Sequence, residues 1–309
     1  MSVFSLLLVS FLTFVELNCE NLFDCRHDSL KQDQEFLPEG NRRWTPTRYW
    51  RKQNNIAQAI LSCSRELPDF VALCEVENDT ALHDLTRRSL LRTLGYEYMM
   101  TKSDDLRGID VALLYQPASF RPLCYDYLKI PLIKGMRPTR DILYVKGLTL
   151  GFDTLHIFVV HAPSRQGGEK VSRPYRMNVA QVIRQAVGNL KGAHVIVAGD
   201  FNDYGDSPAL QLLEKQGLEN VTKSLQGRNG VGGTYRYQGE WHSLDHILLS
   251  PSLVNTVDTA YINDESFLLE EEPRYGGVRP HRSFYGREYR KTGVSDHLPL
   301  VVRLRAKKE

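Results

Sequence analysis

The apolar positions of this chain fall into short runs. Phe14 to Leu17, Phe70 to Cys74, Val111 to Tyr115, Leu143 to Val145, Leu155 to Val160, His194 to Ala198, His246 to Leu249 and Leu300 to Leu304 are bounded by Gly, Pro, Asn or Asp. Short apolar runs closed by turn formers predict strands. Between some of them the period lengthens to that of a helix. Trp50 to Ser62 carries Ile56, Ala57, Ile60 and Leu61; Thr80 to Leu94 carries Leu82, Leu85, Leu90 and Leu91; Arg176 to Leu190 carries Val179, Val182, Ile183, Ala186 and Val187. Strands that bury one face need a second layer, and amphipathic helices can cover the outside. The pattern therefore predicts an α/β (α+β) sandwich of two packed β-sheets flanked by helices. No Pro/Ser-rich linker divides the chain and no repeat is evident, so residues 11–309 read as a single domain. Asp24 to Thr47 and Glu270 to Thr292 read as long surface loops, which are more often functional or mobile than idle.

Composition narrows the picture. With 42% hydrophobic and 25% charged residues among 309, the chain has a globular balance and no disorder signature. A net charge of +2 neither demands nor excludes a nucleic-acid partner. Phosphate binding must come from local placement of Arg and Lys. The five cysteines are odd in number and irregular in spacing, with no Cys-x-x-Cys or Cys/His pattern. They read as buried thiols rather than a zinc site or a disulfide framework. Residues 1–10 form an apolar lead with no Lys or Arg before it and no small-x-small cleavage site after it. Two readings stay open for it: a remnant of an export signal, or the approach to a first core strand. It is too short and too interrupted by Ser and Thr to span a membrane.

Candidate chemistry gathers at the ends of the apolar runs. Asn18 and Glu20 follow the first, Glu75 the second and His161 the run Leu155 to Val160. Asp200 and Asn202 follow the run ending at Ala198. Asp245 opens the run into Leu249, and Asp296 and His297 precede Leu300. Taken singly, each has a plain explanation as a turn former or cap. Turn chemistry also uses Gly, Ser and Pro freely, so a whole set of one chemical type is not expected from it. Strand ends that meet at one rim can converge on one pocket, and oxygen donors such as Asn18, Glu75 and Asp296 suit Mg²⁺ or Mn²⁺.

The ordered set Asn18-x-Glu20, Glu75, His161-Ala162-Pro163-Ser164, Gly199-Asp200-Phe201-Asn202, Leu244-Asp245-His246 and Ser295-Asp296-His297 resembles the endonuclease/exonuclease/phosphatase superfamily, which includes deoxyribonuclease I. Glu75-Val76-Glu77-Asn78, Arg107-Gly108-Ile109-Asp110-Val111 and Pro163 to Gly168 are similar to a bacterial, mostly uncharacterised branch, many of whose members are exported or anchored at the cell envelope. The resemblance implies a four-layer α/β/β/α sandwich and a divalent-metal-dependent phosphoester hydrolase. It implies that Glu75 is the principal metal ligand, that Asn18 lies close to the metal or the phosphate, and that Asp296 and Glu20 are further ligands. Asp245 would orient His297. Asp200 and Asn202 would position or deprotonate the attacking water, and the base is either His297 or Asp200. His161, supported by Asp110, would stabilise developing charge or protonate the leaving oxygen as an imidazolium.

Arg140 and Arg165 are candidate phosphate clamps, since the guanidinium fork matches phosphate oxygens; each also reads as an ordinary surface arginine. Arg282, Tyr285, Arg287, Tyr289 and Arg290 interleave charge and rings in a way that can grip a polyanion. Three functions compete. A nuclease or other phosphodiesterase comes first, then a phosphatase or phosphodiesterase on small-molecule or lipid head-group phosphates. A non-catalytic binding protein of the same fold is third, and the intact acidic set argues against it. The expected partner is a phosphate-ester substrate, nucleic acid among the candidates, with no stable protein partner and a monomeric chain. The cell envelope, secretion and the cytoplasm all remain open as locations.

Overall fold

The computed structural model describes residues 10–149 and 151–306. The expected apolar lead, apart from Ser10, lies outside them. In chain order the strands are β1 (Ser10–Leu22), β2 (Phe70–Val76), β3 (Glu97–Met100), β4 (Asp110–Tyr115), β5 (Phe120–Leu128), β6 (Ile142–Thr149), β7 (Phe152–His161), β8 (His194–Asp200), β9 (Glu219–Asn220), β10 (Tyr235–Tyr237), β11 (Glu240–His242), β12 (Asp245–Leu249), β13 (Val257–Ile262), β14 (Leu269–Glu271), β15 (Val278–Pro280), β16 (Phe284–Tyr285), β17 (Glu288–Tyr289) and β18 (Leu300–Ala306). The helices are α1 (Pro46–Ser62), α2 (Asp79–Arg87), α3 (Glu169–Gly188), α4 (Pro208–Lys215) and α5 (Pro251–Val254).

Two six-stranded mixed sheets carry the fold, ordered β13-β18-β1-β2-β4-β3 and β5-β6-β7-β8-β12-β9. Each contains one parallel pair, β1 with β2 and β7 with β8, and its other neighbours are antiparallel. A parallel pair needs a crossover, which α1 supplies in the first sheet and α3 in the second. The period of two then sorts side chains into layers. In β7, Leu155, Ile157 and Val159 face the other sheet, while Phe158 and Val160 pack with Val179, Ile183 and Val187 of α3. Truncating a residue such as Ile157 to Ala costs about 2–5 kcal/mol, because the packed layers collapse only partly into the void. Ile56, Ala57 and Ile60 of α1 and Leu82 and Leu85 of α2 cover the first sheet. The result is the four-layer arrangement that the pattern predicts.

Every expected strand is present, and the helices differ at their ends. α1 starts at Pro46 rather than Trp50 because Thr45 caps it and proline suits the first helical position. α3 starts at Glu169 and carries Pro174 inside its first two turns. α2 ends at Arg87 rather than Leu94. There Ser89 Oγ donates to the Leu85 carbonyl and accepts the Leu91 N–H, diverting the backbone from the helical ladder. The two expected loops are more ordered than their polarity suggests. Phe36 and Trp44 of the first pack with Phe23, Tyr49, Ile109 and Phe284 in a small separate core. The second forms the hairpins β14–β15 and β16–β17. All five cysteines are free; Cys19, Cys63 and Cys74 are buried, whereas Cys124 is exposed. Among the described residues no helix is long and apolar enough to cross a membrane.

Candidate active site

The site lies where one end of each sheet opens between the layers. In the second sheet, pairing places His161 opposite Asp200 on parallel strands, and Asp200 opposite Asp245 on antiparallel ones. Three adjacent strands therefore present these groups in one row, on the face that Ile157, Ile196 and Ile247 bury against the first sheet. Close approach of β7 and β8 at this level requires glycine at 199. A Cβ there would sit 1.9 Å from the Val160 carbonyl oxygen.

His297 reaches this row from the loop before β18. Its Nδ1 is 2.7 Å from Asp245 Oδ2, which selects the tautomer and leaves Nε2 for the cleft. Thr234 Oγ1 donates to the same carboxylate oxygen. Ser295 Oγ donates to the Asn18 carbonyl at 2.6 Å and accepts the His297 N–H at 3.1 Å, tying the His297 backbone to β1.

The first sheet contributes through bulges. Register shifts lie between Asn18 and Leu22 and between Cys74 and Val76. Glu20, Asn21 and Glu75 sit there at φ 50°, 60° and 62°, and Asn202 across the cleft at 50°. Left-handed non-glycine residues are uncommon, and four in one rim mark a backbone held for side-chain placement. Glu75 Oε2 accepts the Asn21 N–H at 2.9 Å. His161 joins the sheets, its Nε2 lying 3.8 Å from Glu75 Oε1 and 3.6 Å from Asp200 Oδ2. Asn18 is spent at both ends: Nδ2 donates to Asp200 Oδ2 at 3.0 Å and Oδ1 accepts the Glu20 N–H at 2.9 Å. Asn202 Nδ2 donates to Asp200 Oδ2 and to the Ala162 carbonyl.

Burial sets the electrostatics. It raises Asp200 to about 7, helped by the neighbouring Asp245 charge. Burial also opposes a charged His297, but the Asp245 carboxylate outweighs it and holds the ring well above its usual range. Burial, with Arg140 and Arg107 nearby, pushes His161 well below its usual range. That direction favours the neutral ring over the imidazolium that the resemblance implies. Asp296 is held below the usual carboxylate range, Arg282 and His297 prevailing over burial.

The residues expected from the sequence divide. Glu75, His161, Arg165, Asp200, Asn202, Asp296 and His297 line one cleft of about 610 Å³, and Asp245 stands behind His297. Glu20 instead accepts from Arg282 at 3.1 Å and from the Ser283 N–H at 2.7 Å, with Lys52 3.7 Å away. Arg282 bridges Glu20 to Asp296, 2.9 Å from the latter. Arg140 is buried, donating to the Ala162 carbonyl at 2.8 Å and lying 3.6 Å from Asp105. The carboxylate of Asp110 takes Thr101 Oγ1 and the Ser103 N–H rather than supporting His161. Tyr285 lies outside the cleft, beneath the Arg279 guanidinium.

Other residues at the cleft were given no role from the sequence. Arg107 donates to Asn21 Oδ1 at 2.6 Å and lies 3.7 Å from Glu75. Tyr235 packs 5.0 Å from the His297 ring, and Tyr204 stacks on His242 at 5.1 Å. Glu16 is fully buried between the sheets, its carboxyl pushed well up by burial and then by Asp245 and Asp200. Its signal was present: an acid inside Phe14-Val15-Glu16-Leu17, two residues before Asn18 and so on the same face.

Comparison with known proteins agrees with this geometry. The model of the endonuclease/exonuclease/phosphatase family matches residues 13–306. No curated protein sequence matches the chain. Among solved structures, an endonuclease/exonuclease/phosphatase family protein from Bacteroides thetaiotaomicron is 18% identical with a TM-score of 0.63, over 97% of this chain and 100% of its own. A mannosyl-6-phosphatase of the same organism is 18% identical with a TM-score of 0.60, over 94% and 98%. D. rerio TDP2 complexed with a single-strand DNA product is 15% identical with a TM-score of 0.54, over 95% and 98%. These likenesses concern the fold, while the family model spans nearly the whole chain: the protein belongs to the endonuclease/exonuclease/phosphatase family, a family of phosphoester hydrolases.

Proposed function

We propose that the protein is a divalent-metal-dependent hydrolase of phosphate esters that uses in-line attack by water. The observation that carries the reading is the His297–Asp245 pair, 2.7 Å apart, beside Asp200 and facing Glu75 and Asp296 in one cleft. Glu75 and Asp296 suit Mg²⁺ or Mn²⁺: both are hard carboxylates lining the cleft, and Arg282 keeps Asp296 ionised. When bound, the ion neutralises charge on the phosphate oxygens and the leaving group. Asp200, Asp245 and His297 also offer ligand atoms within 4.8 Å of one another. The short His297–Asp245 hydrogen bond favours proton handling at that group over metal binding.

The chain's own groups then have distinct tasks. Asp245, fixed by Thr234, holds the His297 tautomer. In its deprotonated form, reached above its raised titration range, His297 Nε2 takes the proton of the attacking water, and Asp200 with Asn202 orients that water. Neutral His161 donates a hydrogen bond toward a phosphate oxygen. Arg165 and Arg107, half exposed at the rim, hold further oxygens.

A phosphodiester of the nuclease type is the first substrate class, supported by the tyrosine-rich cleft wall and by the solved relative with a single-strand DNA product. A sugar phosphate is the second, supported by the mannosyl-6-phosphatase relative. Incubating the protein and its His297→Ala variant with Mg²⁺ or Mn²⁺ and a panel of DNA, RNA, phospholipid and sugar-phosphate esters tests this. Hydrolysis by the wild type alone is expected. Equal hydrolysis by both overturns the assignment, and hydrolysis of sugar phosphates alone removes the nuclease class.

A further inference from the structure

Away from the cleft, residues 39–48 and the turn of the β16–β17 hairpin enclose a pocket of about 450 Å³. Its charged lining is Arg42, Arg43, Arg48 and Arg287 against Glu39 alone. The whole chain carries only +2, so this concentration of charge is local. Two of the guanidinium planes are fixed by rings. Arg42 lies 5.3 Å from the centroid of Phe36 and 4.7 Å from that of Phe284; Arg48 lies 4.5 Å over Tyr289 and donates to the Arg42 carbonyl. A stacked guanidinium loses little freedom on meeting an anion.

Arg42 is paired with Glu35 at 3.0 Å. Among the described residues no carboxylate lies within ion-pair distance of Arg43, Arg48 or Arg287. Arg48 also stands in the first turn of the 17-residue helix α1, where the Thr45 side chain caps the Arg48 N–H but no acid offsets the positive end of the helix. A cation there is unfavourable until an anion arrives. Arg43 holds a left-handed backbone at φ 45°, which non-glycine residues rarely adopt. Among the described residues only Arg42 of the four has an acidic partner.

The pocket connects to the cleft through the same hairpin. Tyr285 and Gly286 line an intermediate pocket of about 350 Å³ that shares Tyr235, Tyr237 and Asp296 with the cleft. The Gly286 carbonyl in turn contacts Arg42 Nη1 at 3.5 Å. Tyr237, Tyr275 and Tyr285 are exposed along this path. An anion site, a row of exposed tyrosines, two of them with one face already against Arg274 or Arg279, and a second anion site match a ligand that alternates phosphates with planar bases. A sugar monophosphate has one phosphate and no group for the distal arginines.

We propose that the pocket formed by Arg42, Arg43, Arg48 and Arg287 is a second anion site, holding a phosphate of a single-stranded nucleic acid whose scissile phosphate lies in the cleft. The proposal rests on the phosphoester reading of the cleft. It is tested by fluorescence anisotropy of a labelled oligothymidylate of about twelve nucleotides with the full chain in EDTA, so that binding is read without turnover. The double variant Arg43→Glu, Arg287→Glu changes two exposed residues, and its thermal melting checks the fold.

A loss of affinity of about tenfold or more is expected, with a shallower salt dependence. The charge-matched variant Arg121→Glu, Lys191→Glu, on distant surfaces, should bind like the wild type. Glu39→Gln should bind more tightly, a gain that misfolding cannot imitate. Unchanged affinity in the Arg43/Arg287 variant, or equal loss in both double variants, overturns the site. Displacement of the oligonucleotide from the wild type by inorganic pyrophosphate, with the same loss in the Arg43/Arg287 variant, supports it. Binding of pyrophosphate without binding of the oligonucleotide overturns the strand assignment. Failure of the cleft chemistry would instead appear as absent hydrolysis with this binding intact.

Discussion

The two sheets bring carboxylates to the same cleft, and the same functional group behaves differently on each side. On the second sheet, Asp200 and Asp245 are almost sealed, with side chains 2% and 0% exposed, and two imidazoles stand beside them, His161 at Asp200 and His297 at Asp245. On the first side, Glu75 and Asp296 are 13% and 19% exposed and stand beside arginines. Dry, crowded acids resist ionisation, which is why Asp200 rises to about 7. Asp296 moves the other way under Arg282 and His297. The first environment suits moving a proton and the second suits holding a cation. The rim thus divides one reaction between two chemistries, by placing acids in a flat strand row or at a bulge (Glu75) and in the loop before β18 (Asp296).

The comparison breaks most readily at its proton-handling side. Replacing His297 by Ala should lower kcat/KM by about a thousandfold or more in steady-state assays, with melting temperature little changed. A variant within tenfold of the wild type would remove His297 from the chemistry. Asp245→Asn should cost about a hundredfold in kcat. It should also move the acid limb of the pH–rate profile to lower pH, because Asp245 is what raises His297. An unmoved limb would assign the titration elsewhere.

Stability sharpens the contrast. A carboxyl raised to about 7 in the fold from about 3.9 in the unfolded chain favours the folded state while protonated. Its contribution is complete below about pH 4 and is lost as pH rises through about 7. The metal-free protein should therefore melt a few degrees lower at about pH 8 than at about pH 5.5, and Asp200→Asn should flatten that slope. An unaltered slope in calorimetry would place the burden on other raised acids such as Glu77. The smallest effect belongs to the rim, where Arg165→Ala should raise KM about five- to tenfold with little change in kcat. Its partners Asp203 and Glu169 already share its charge.

The sheets were legible because the period of two is written into runs such as Leu155 to Val160 and His194 to Ala198. The same period places His161, Asp200 and Asp245 on an inner face. The bulges were not legible, since nothing in Asn18 to Leu22 or Glu75 announces a positive φ. Helix starts were written in Thr45-Pro46, a capping signal that apolar spacing alone overlooks. The small core under residues 24–47 escaped because Phe36 and Trp44 follow no period. Residue type found the arginines but not their partners. Arg140 holds the turn after His161, and Arg282 links two acids, because long side chains choose contacts distant in sequence. Tyr235 and Thr234 reach His297 and Asp245 through the β10 edge, a tertiary placement with no local signature.

The division of labour is tested most directly by titrating Mg²⁺ or Mn²⁺ calorimetrically into the wild type, Glu75→Gln and Asp245→Asn. The account predicts that Glu75→Gln loses the binding isotherm while Asp245→Asn retains it close to the wild type. Retained binding in Glu75→Gln with loss in Asp245→Asn would put the metal in the Asp200–Asp245–His297 group and contradict it.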